Sequence, residues 1–116
     1  MLSKAAHTTP AARHATLLSN GRYSTLVTSR GGGFSTWQNL AITRWRADPT
    51  CDPWGPQVLL RELDGGTVWS MGPGPLGCVD AEDVTLSGSF ARFRRQVAGL
   101  VTTLEIAICA DHDAEM

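Results

Sequence analysis

The spacing of turn signals constrains the fold of this chain more than any other sequence feature. The chain has 116 residues, and its 12 Gly and 6 Pro residues fall between short apolar runs. No segment shows the apolar stripe at positions i, i+3, i+4 and i+7 that marks an amphipathic helix. Short runs separated by turns roughly every 8 to 12 residues are typical of β-sandwiches. The sequence therefore predicts an all-β, antiparallel β-sandwich.

The first half of the chain contains strand-like segments around two breaks. Asn20-Gly21 is a strong tight-turn signal, and residues 22–28 alternate in polarity after it, as a half-buried strand does. Gly31-Gly32-Gly33 ends that alternation and permits the close approach of another backbone or of a ligand. Residues 34–37 and 40–45 are further strand candidates, and residues 47–56 form a loop stiffened by proline.

The second half predicts two hairpins and one long strand. Asp64-Gly65-Gly66 joins residues 58–63 to residues 67–71, and Gly88 lies between residues 83–87 and 90–95. From residue 100 to residue 109 every second side chain is apolar or Thr. We expect these even-numbered side chains to face the core.

Charge and cysteine content exclude several classes of protein. The net charge is −1, although residues 1–46 carry six basic and no acidic side chains. The basic residues are dispersed along the chain, so we expect no nucleic-acid partner. Three cysteines at wide spacing suggest neither a disulfide framework nor a zinc site and fit a reducing cytoplasm. We also expect no signal peptide, no membrane-spanning segment, no metal and no cofactor.

Three polar motifs resemble functional sites, but none of them predicts one. Residues 72–77 match the pattern GxGxxG, but Pro73 and Pro75 lack the N–H groups that a pyrophosphate requires. The carboxylates of Asp80, Glu82 and Asp83 are interpreted as solvated side chains at the start of a strand. Asp111-His112-Asp113 resembles a run of metal ligands, but it lies near a chain end, where we expect disorder.

The tryptophans are the best candidates for function, because four of them occur in so short a chain. Flat aromatic rings suit the apolar faces of sugars, and Arg, Gln and Asn suit their hydroxyl rims. The alternative, which the residues favour slightly, is that the tryptophans pack in the core or in an interface. The candidate carbohydrate-binding residues are Trp37, Gln38, Arg44, Trp45, Arg46 and Trp54. No catalytic residue is predicted.

An ordered series of aromatic and glycine positions resembles a known family. The series consists of Leu17-Leu18-Ser19-Asn20-Gly21-Arg22-Tyr23, Gly31-Gly32-Gly33-Phe34-Ser35-Thr36-Trp37, Leu40-Ala41-Ile42-Thr43-Arg44-Trp45-Arg46, Asp52-Pro53-Trp54-Gly55, Leu60-Arg61-Glu62-Leu63, Val68-Trp69-Ser70, Phe90-Ala91-Arg92-Phe93-Arg94-Arg95 and Thr102-Thr103-Leu104-Glu105. It resembles the cyclic β-1,2-glucan synthases and, more broadly, the N-terminal β-sandwich of glycoside hydrolase family 94, formerly glycosyltransferase family 36. Residues 71–83 depart from that pattern.

The resemblance implies part of a galactose-mutarotase-like supersandwich, whose catalytic residues lie on a separate helical barrel. We therefore expect a non-catalytic supporting or carbohydrate-binding domain of a cytoplasmic parent enzyme in glucan metabolism. Whether that parent enzyme associates with the inner membrane stays open. Its partners would be a glucan oligosaccharide and the missing helical domain. We expect a loose leader at residues 1–15, an incomplete β-sandwich domain at residues 16–110 and a tail at residues 111–116.

An incomplete sandwich leaves strand edges unpaired, so we also expect dimerisation or aggregation through the strand at residues 100–108. Two other functions stay open. A free-standing carbohydrate-binding module would need an exposed tryptophan platform. A free-standing enzyme would need a nucleophile, a base and an orienting group, which the sequence does not assemble.

Overall fold

The computed structural model describes residues 14–43, 55–73, 76 and 79–116. These residues form antiparallel strands and no helix. The strands are β1 (Ala15–Ser19), β2 (Tyr23–Thr28), β3 (Gly33–Trp37), β4 (Leu40–Ala41), β5 (Leu59–Arg61), β6 (Val68–Ser70), β7 (Ala81–Leu86), β8 (Ala91–Val97) and β9 (Leu100–Ile106). They make a four-stranded sheet β1-β2-β3-β4, a hairpin β5-β6 and a three-stranded sheet β7-β8-β9. The predicted all-β class and antiparallel sandwich are confirmed.

The turn residues place these strands as the sequence predicted. Asn20-Gly21 connects β1 to β2, and the Asn20 side chain accepts hydrogen bonds from the backbone N–H groups of Arg22 and Tyr23 at 2.9 and 2.8 Å. The hairpin around Asp64-Gly65-Gly66 is β5-β6, with Leu60 paired to Trp69. The hairpin around Gly88 is β7-β8. Both hairpins are confirmed, and β7 begins two residues earlier than expected, at Ala81.

The core lies between the four-stranded and the three-stranded sheets. Leu18 and Val27 on the inner face of the first pack against Ala91 and Phe93 on the inner face of the second. Half-buried side chains of β7 and β9 surround them, among them Leu104 and Ile106. The alternation predicted for residues 100–109 is confirmed from Val101 to Ile106, where Thr102, Leu104 and Ile106 are half-buried and the residues between them are exposed, whereas Leu100 is 46% exposed. This one shared apolar layer defines the sandwich.

The β5-β6 hairpin covers the remaining part of the inner face of the three-stranded sheet. Trp69 is 3% exposed, and its indole N–H donates to the hydroxyl of Thr102 in β9 at 3.4 Å. At the seam between the hairpin and the four-stranded sheet, a Cβ on Gly31 would lie 3.0 Å from the Cα of Gly72. The predicted close approach of a second backbone to the glycine triplet is therefore confirmed.

Across the residue ranges given above, no helix is long and apolar enough to cross a membrane.

The outer face of the three-stranded sheet is polar. Arg92 of β8 donates two hydrogen bonds, at 2.9 and 2.7 Å, to one carboxylate oxygen of Glu105 in β9. This alternation of an apolar inner face with a charged outer face is what a sheet half-exposed to water requires.

Candidate functional site

A polar cluster around Trp37 forms where three distant segments meet. The β1-β2 turn contributes Asn20 and Arg22, and Trp37 is the last residue of β3. The C-terminal segment contributes Asp113. Tyr23 pairs with Trp37 in the sheet, and the N–H of Gln38 donates to the carbonyl oxygen of Arg22 at 2.7 Å. The sheet register thus brings the turn and the end of β3 together.

Asp113 is the hub of this cluster. Its Oδ2 accepts a hydrogen bond from the indole N–H of Trp37 at 2.8 Å. Its Oδ1 accepts from Nε of Arg22 at 2.9 Å and from Nδ2 of Asn20 at 3.1 Å. The hydrogen bond from Trp37, supported by those from Asn20 and Arg22, holds the pKa of the Asp113 carboxyl below its ordinary value of 3.8. The carboxylate is therefore ionised at neutral pH, and it fixes the orientation of the indole ring.

Two residues further along, Glu115 attaches the same segment to the inner face of the sheet. Its Oε1 accepts a hydrogen bond from the hydroxyl of Tyr23 at 2.9 Å and another from the hydroxyl of Ser35. Burial raises the pKa of the Tyr23 hydroxyl, which keeps this donor protonated. Asn20 also donates to the carbonyl oxygens of Cys109 and His112, at 3.0 and 3.1 Å.

Comparison with known proteins accounts for this architecture. The whole chain, residues 1–116, matches the glycosyl hydrolase 94 supersandwich domain family. The chain belongs to this family. It is also 36% identical over 104 residues to the cyclic beta-(1,2)-glucan synthase NdvB of Rhizobium meliloti (strain 1021). That alignment covers 89% of this chain and 4% of the relative, so the chain spans only a small part of the relative's length. The resemblance inferred from the sequence is confirmed.

The structure describes two of the six predicted site residues. Trp37 is half-buried at the cluster, and Gln38 is exposed in the β3-β4 turn with a φ of 51°. Arg44, Trp45, Arg46 and Trp54 lie outside the described residues. Trp69, which the sequence does not predict as a site residue, is buried between the β5-β6 hairpin to which it belongs and the three-stranded sheet. The packing alternative therefore applies to Trp69, whereas Trp37 has a polar environment at the surface.

Sequence reasoning missed the partners of Trp37. The sequence predicts Asn20 only as a turn residue, Arg22 as a strand residue, and Asp113 as part of a disordered end. The expectation of disorder at Asp111-His112-Asp113 was wrong, because side chains of β2 and β3 and of the β1-β2 turn hold this segment. No sequence signal could have revealed this, since Asp113 and Arg22 are separated by 91 positions.

Two carbonyl groups of the GxGxxG segment, those of Gly72 and Leu76, accept hydrogen bonds from a buried arginine. Arg95 of β8 is 2% exposed, and its guanidinium donates to the carbonyl oxygens of Gly72 and Leu76 at 2.6 and 3.2 Å. Glu82, one of the three clustered carboxylates, forms an ion pair with the same guanidinium at 3.2 Å. Among the described His, Cys, Asp and Glu side chains, no group of three or more could hold a metal ion.

A cavity of about 200 Å³ lies at the seam beside Gly31 and Gly72. Its walls are largely apolar and include Val58, Phe93 and Leu104. A sugar enclosed by such walls would leave many of the hydroxyl groups at its rim without hydrogen-bond partners. The Trp37 cluster, with its carboxylate, guanidinium, amide and indole groups, is the better candidate for recognising a sugar.

Proposed function

We propose that this supersandwich domain is a non-catalytic supporting domain of a glucan synthase-like enzyme, and that it touches the glucan through Trp37 and Gln38. The observation that carries the proposal is the anchoring of the Trp37 indole by Asp113 at the surface of a glycosyl hydrolase 94 supersandwich domain. In this proposal a helical catalytic domain, absent from this chain, packs beside the sandwich. The assembled enzyme works in the cytoplasm.

The chemistry of the cluster fits a sugar ring. An indole ring offers a flat apolar surface to the C–H face of a sugar, and a fixed ring loses little freedom on binding. The Gln38 amide next to it is exposed and has both donors and an acceptor for hydroxyl groups. The Arg22 side chain is 48% exposed, so its guanidinium is accessible beside the carboxylate that it binds.

The supporting role follows from the distribution of polar groups. Asp113 and Glu115 accept hydrogen bonds from fixed donors, and Glu82 is paired with Arg95, so these carboxylates serve structural links. An acid/base pair for glycoside chemistry needs two carboxyls that flank a bound sugar. We therefore assign the chemistry to a separate domain. Phosphorolysis of β-1,2-glucan by the purified chain would contradict this part of the proposal.

The test is a titration of the purified chain with β-1,2-glucan oligosaccharides, followed by tryptophan fluorescence and by calorimetry. We expect saturable binding that Trp37→Ala abolishes and that Trp37→Phe, which keeps a flat ring, retains in part. Leu63→Ala is the control, because Leu63 is 92% exposed in the β5-β6 turn. If the wild type is folded by circular dichroism and shows no saturable signal, the sugar contact is wrong.

A free-standing carbohydrate-binding module is the second candidate. It is favoured by one observation, namely that the Asp113 carboxylate fixes the Trp37 indole at 2.8 Å and is itself held by Asn20 and Arg22, so the ring is oriented by neighbouring side chains of the same domain. The two candidates differ in what they need for binding. A module binds its glucan with full affinity alone, whereas a supporting domain binds weakly alone and gains affinity when the catalytic domain is added in trans.

A further inference from the structure

The side chain of Asn20 joins the β1-β2 turn to the C-terminal segment, residues 107–116, which folds back on itself through backbone pairing. The amide nitrogen Nδ2 of Asn20 shares its N–H groups among three acceptors, all of them in that segment. These are the carbonyl oxygens of Cys109 and His112, at 3.0 and 3.1 Å, and Oδ1 of Asp113, at 3.1 Å. One side chain therefore holds the segment at several points.

The other end of the same amide belongs to the turn. Oδ1 of Asn20 accepts hydrogen bonds from the backbone N–H groups of Arg22 and Tyr23. Only an amide fits both ends, because the side chain must donate on one side and accept on the other. A carboxylate at this position would keep the bonds to the turn, but it would place an oxygen against the acceptors of the C-terminal segment.

An asparagine that precedes glycine is prone to lose its side-chain amide, since glycine has no side chain to shield its nitrogen. The backbone nitrogen of Gly21 bonds to Cγ of Asn20, and the bond from Cγ to Nδ2 breaks. Nδ2 leaves as ammonia with the proton of the attacking N–H group. Water then opens the resulting succinimide ring to aspartate or to isoaspartate. The net reaction consumes water and converts the amide to a carboxylate.

The β1-β2 turn is arranged to assist the first step. Gly21 is exposed, and a Cβ built on it would meet no atom within 4 Å, so its nitrogen is not shielded. The N–H group of Gly21 donates to Oγ of Ser19 at 3.0 Å, which offers an acceptor for the proton. Attack on Cγ moves negative charge onto Oδ1, where the two backbone N–H groups of the turn already point.

The C-terminal segment opposes the same step. Closing the ring turns the Asn20 side chain toward Gly21 and draws Nδ2 away from its three acceptors. The reaction therefore proceeds from molecules in which the segment has opened locally while the turn is kept. Because the residues from Ala110 to Met116 are exposed, little buried surface opposes this opening.

We propose that Asn20 is a modification site, and that its deamidation releases the C-terminal segment and the Trp37 ring irreversibly. The new carboxylate faces the carboxylate of Asp113 and the two carbonyl oxygens, so attraction becomes repulsion and the opened segment does not return. Asp113 then no longer fixes the indole. If Trp37 contacts a glucan as proposed above, the same change weakens that contact, but the release itself does not rest on the proposed function.

The first test uses Asn20→Asp, which reproduces the aspartate product. We expect hydrogen exchange of residues 107–116 to rise by about tenfold, because the segment opens more often. The NMR signal of the Trp37 indole N–H should move toward that of an unbound indole. Asn39→Asp is the matched control, since Asn39 is exposed in the β3-β4 turn, and it should leave both signals unchanged. Circular dichroism verifies that both variants are folded.

The second test follows the reaction itself in the full chain, aged at mildly alkaline pH and analysed by peptide mass mapping. We expect Asn20 to be converted to the acid before Asn39, whose following residue, Leu40, has a bulky side chain. Asp113→Ala removes one of the acceptors that hold Nδ2 and should speed the conversion by roughly threefold or more. Asp111→Ala, an exposed neighbour, should leave the rate unchanged.

Three results would overturn the proposal. The first is an Asn20→Asp variant in which residues 107–116 exchange as slowly as in the wild type. The second is an Asn20 amide that survives as long as that of Asn39. The third is an Asp113→Ala variant that loses the Asn20 amide at the wild-type rate. None of these measurements involves a sugar, so this inference and the proposed function fail separately.

Discussion

The two ends of the inner face of the three-stranded sheet are held by different kinds of interaction. At one end the four-stranded sheet covers Ala91 and Phe93, which are 0% and 1% exposed, with the apolar side chains of Leu18 and Val27. At the other end the β5-β6 hairpin and the loop after it cover Arg95, which is 2% exposed. The first end is held by apolar contact, whereas the second adds hydrogen bonds to one buried charge to the apolar contacts of Trp69 and Met71.

The difference follows from the size of the covering element. A two-stranded hairpin is marginal by itself, because it buries too little apolar surface to order its backbone. The loop after β6 is rich in Gly and Pro and adds little more. A single guanidinium compensates, because its donors bind carbonyl oxygens of Ser70, Gly72 and Leu76 at 2.6, 2.6 and 3.2 Å. Hydrogen bonds to a buried charge are stronger than neutral ones, so a few of them hold a long loop.

Phe93→Ala tests the apolar end and should have the largest effect. It removes a fully buried ring and enlarges the cavity that Phe93 already lines, so the loss in free energy of unfolding should be about 3–5 kcal/mol. Urea denaturation measures it. Phe90→Ala is the control, since Phe90 is only half-buried beneath Arg92. An equal loss in both variants would show that the apolar layer does not dominate this end.

Arg95→Met tests the polar end. It leaves the carbonyl oxygens of Ser70 and Gly72 without their donor and should cost about 2–3 kcal/mol. Arg94→Met is the matched control, because Arg94 is the exposed neighbour in β8 and its loss should change stability by less than ~0.5 kcal/mol. Hydrogen exchange should also rise in β6 more than in β1. If the two variants are equally stable, the guanidinium does not hold the hairpin.

Gly31→Ala tests the seam between the two ends. Gly31 and Gly99 both have a positive φ, of 86° and 77°, so alanine strains the backbone similarly at each. A Cβ at Gly31 meets the backbone of Gly72, whereas a Cβ at Gly99 has no atom within 4 Å. Gly31→Ala should therefore be less stable than Gly99→Ala by about 1–2 kcal/mol in thermal or urea unfolding. Equal stabilities would mean that the seam relaxes freely.

Asp113→Asn tests whether an exposed charge holds the C-terminal segment as the buried Arg95 holds the β5-β6 hairpin. Of the four substitutions, it should change the stability of the fold least. The folded pKa of Asp113 lies below the ordinary 3.8, so its contribution is complete above that value and is lost as pH falls through the lower pKa. The NMR shift of the Trp37 indole N–H should follow this titration. Asp113→Asn should remove the dependence, and Asp111→Asn should keep it. A pH-independent wild-type signal would contradict the link.

The sequence determined the strands and their turns, because these depend on neighbouring residues. Asn20-Gly21, Asp64-Gly65-Gly66 and Gly88 each set a turn by their own backbone preferences, and alternation along residues 100–106 set the buried face of β9. The ordered aromatic and glycine positions also identified the family correctly. Trp37 was recognised as a candidate because of its residue type alone.

Only the tertiary structure decided what these residues contact. Arg95 looks the same in the sequence as Arg92 and Arg94, yet it alone of the three is buried among carbonyl oxygens. Asp113 accepts a hydrogen bond from Trp37, which lies 76 positions away in the sequence. The segment that contains Asp113 was expected to be disordered. Local preferences act over a few residues, whereas a buried charge or a distant hydrogen bond depends on which surfaces the packed sheets bring together. That difference in range is why the strands could be predicted and the Trp37 cluster could not.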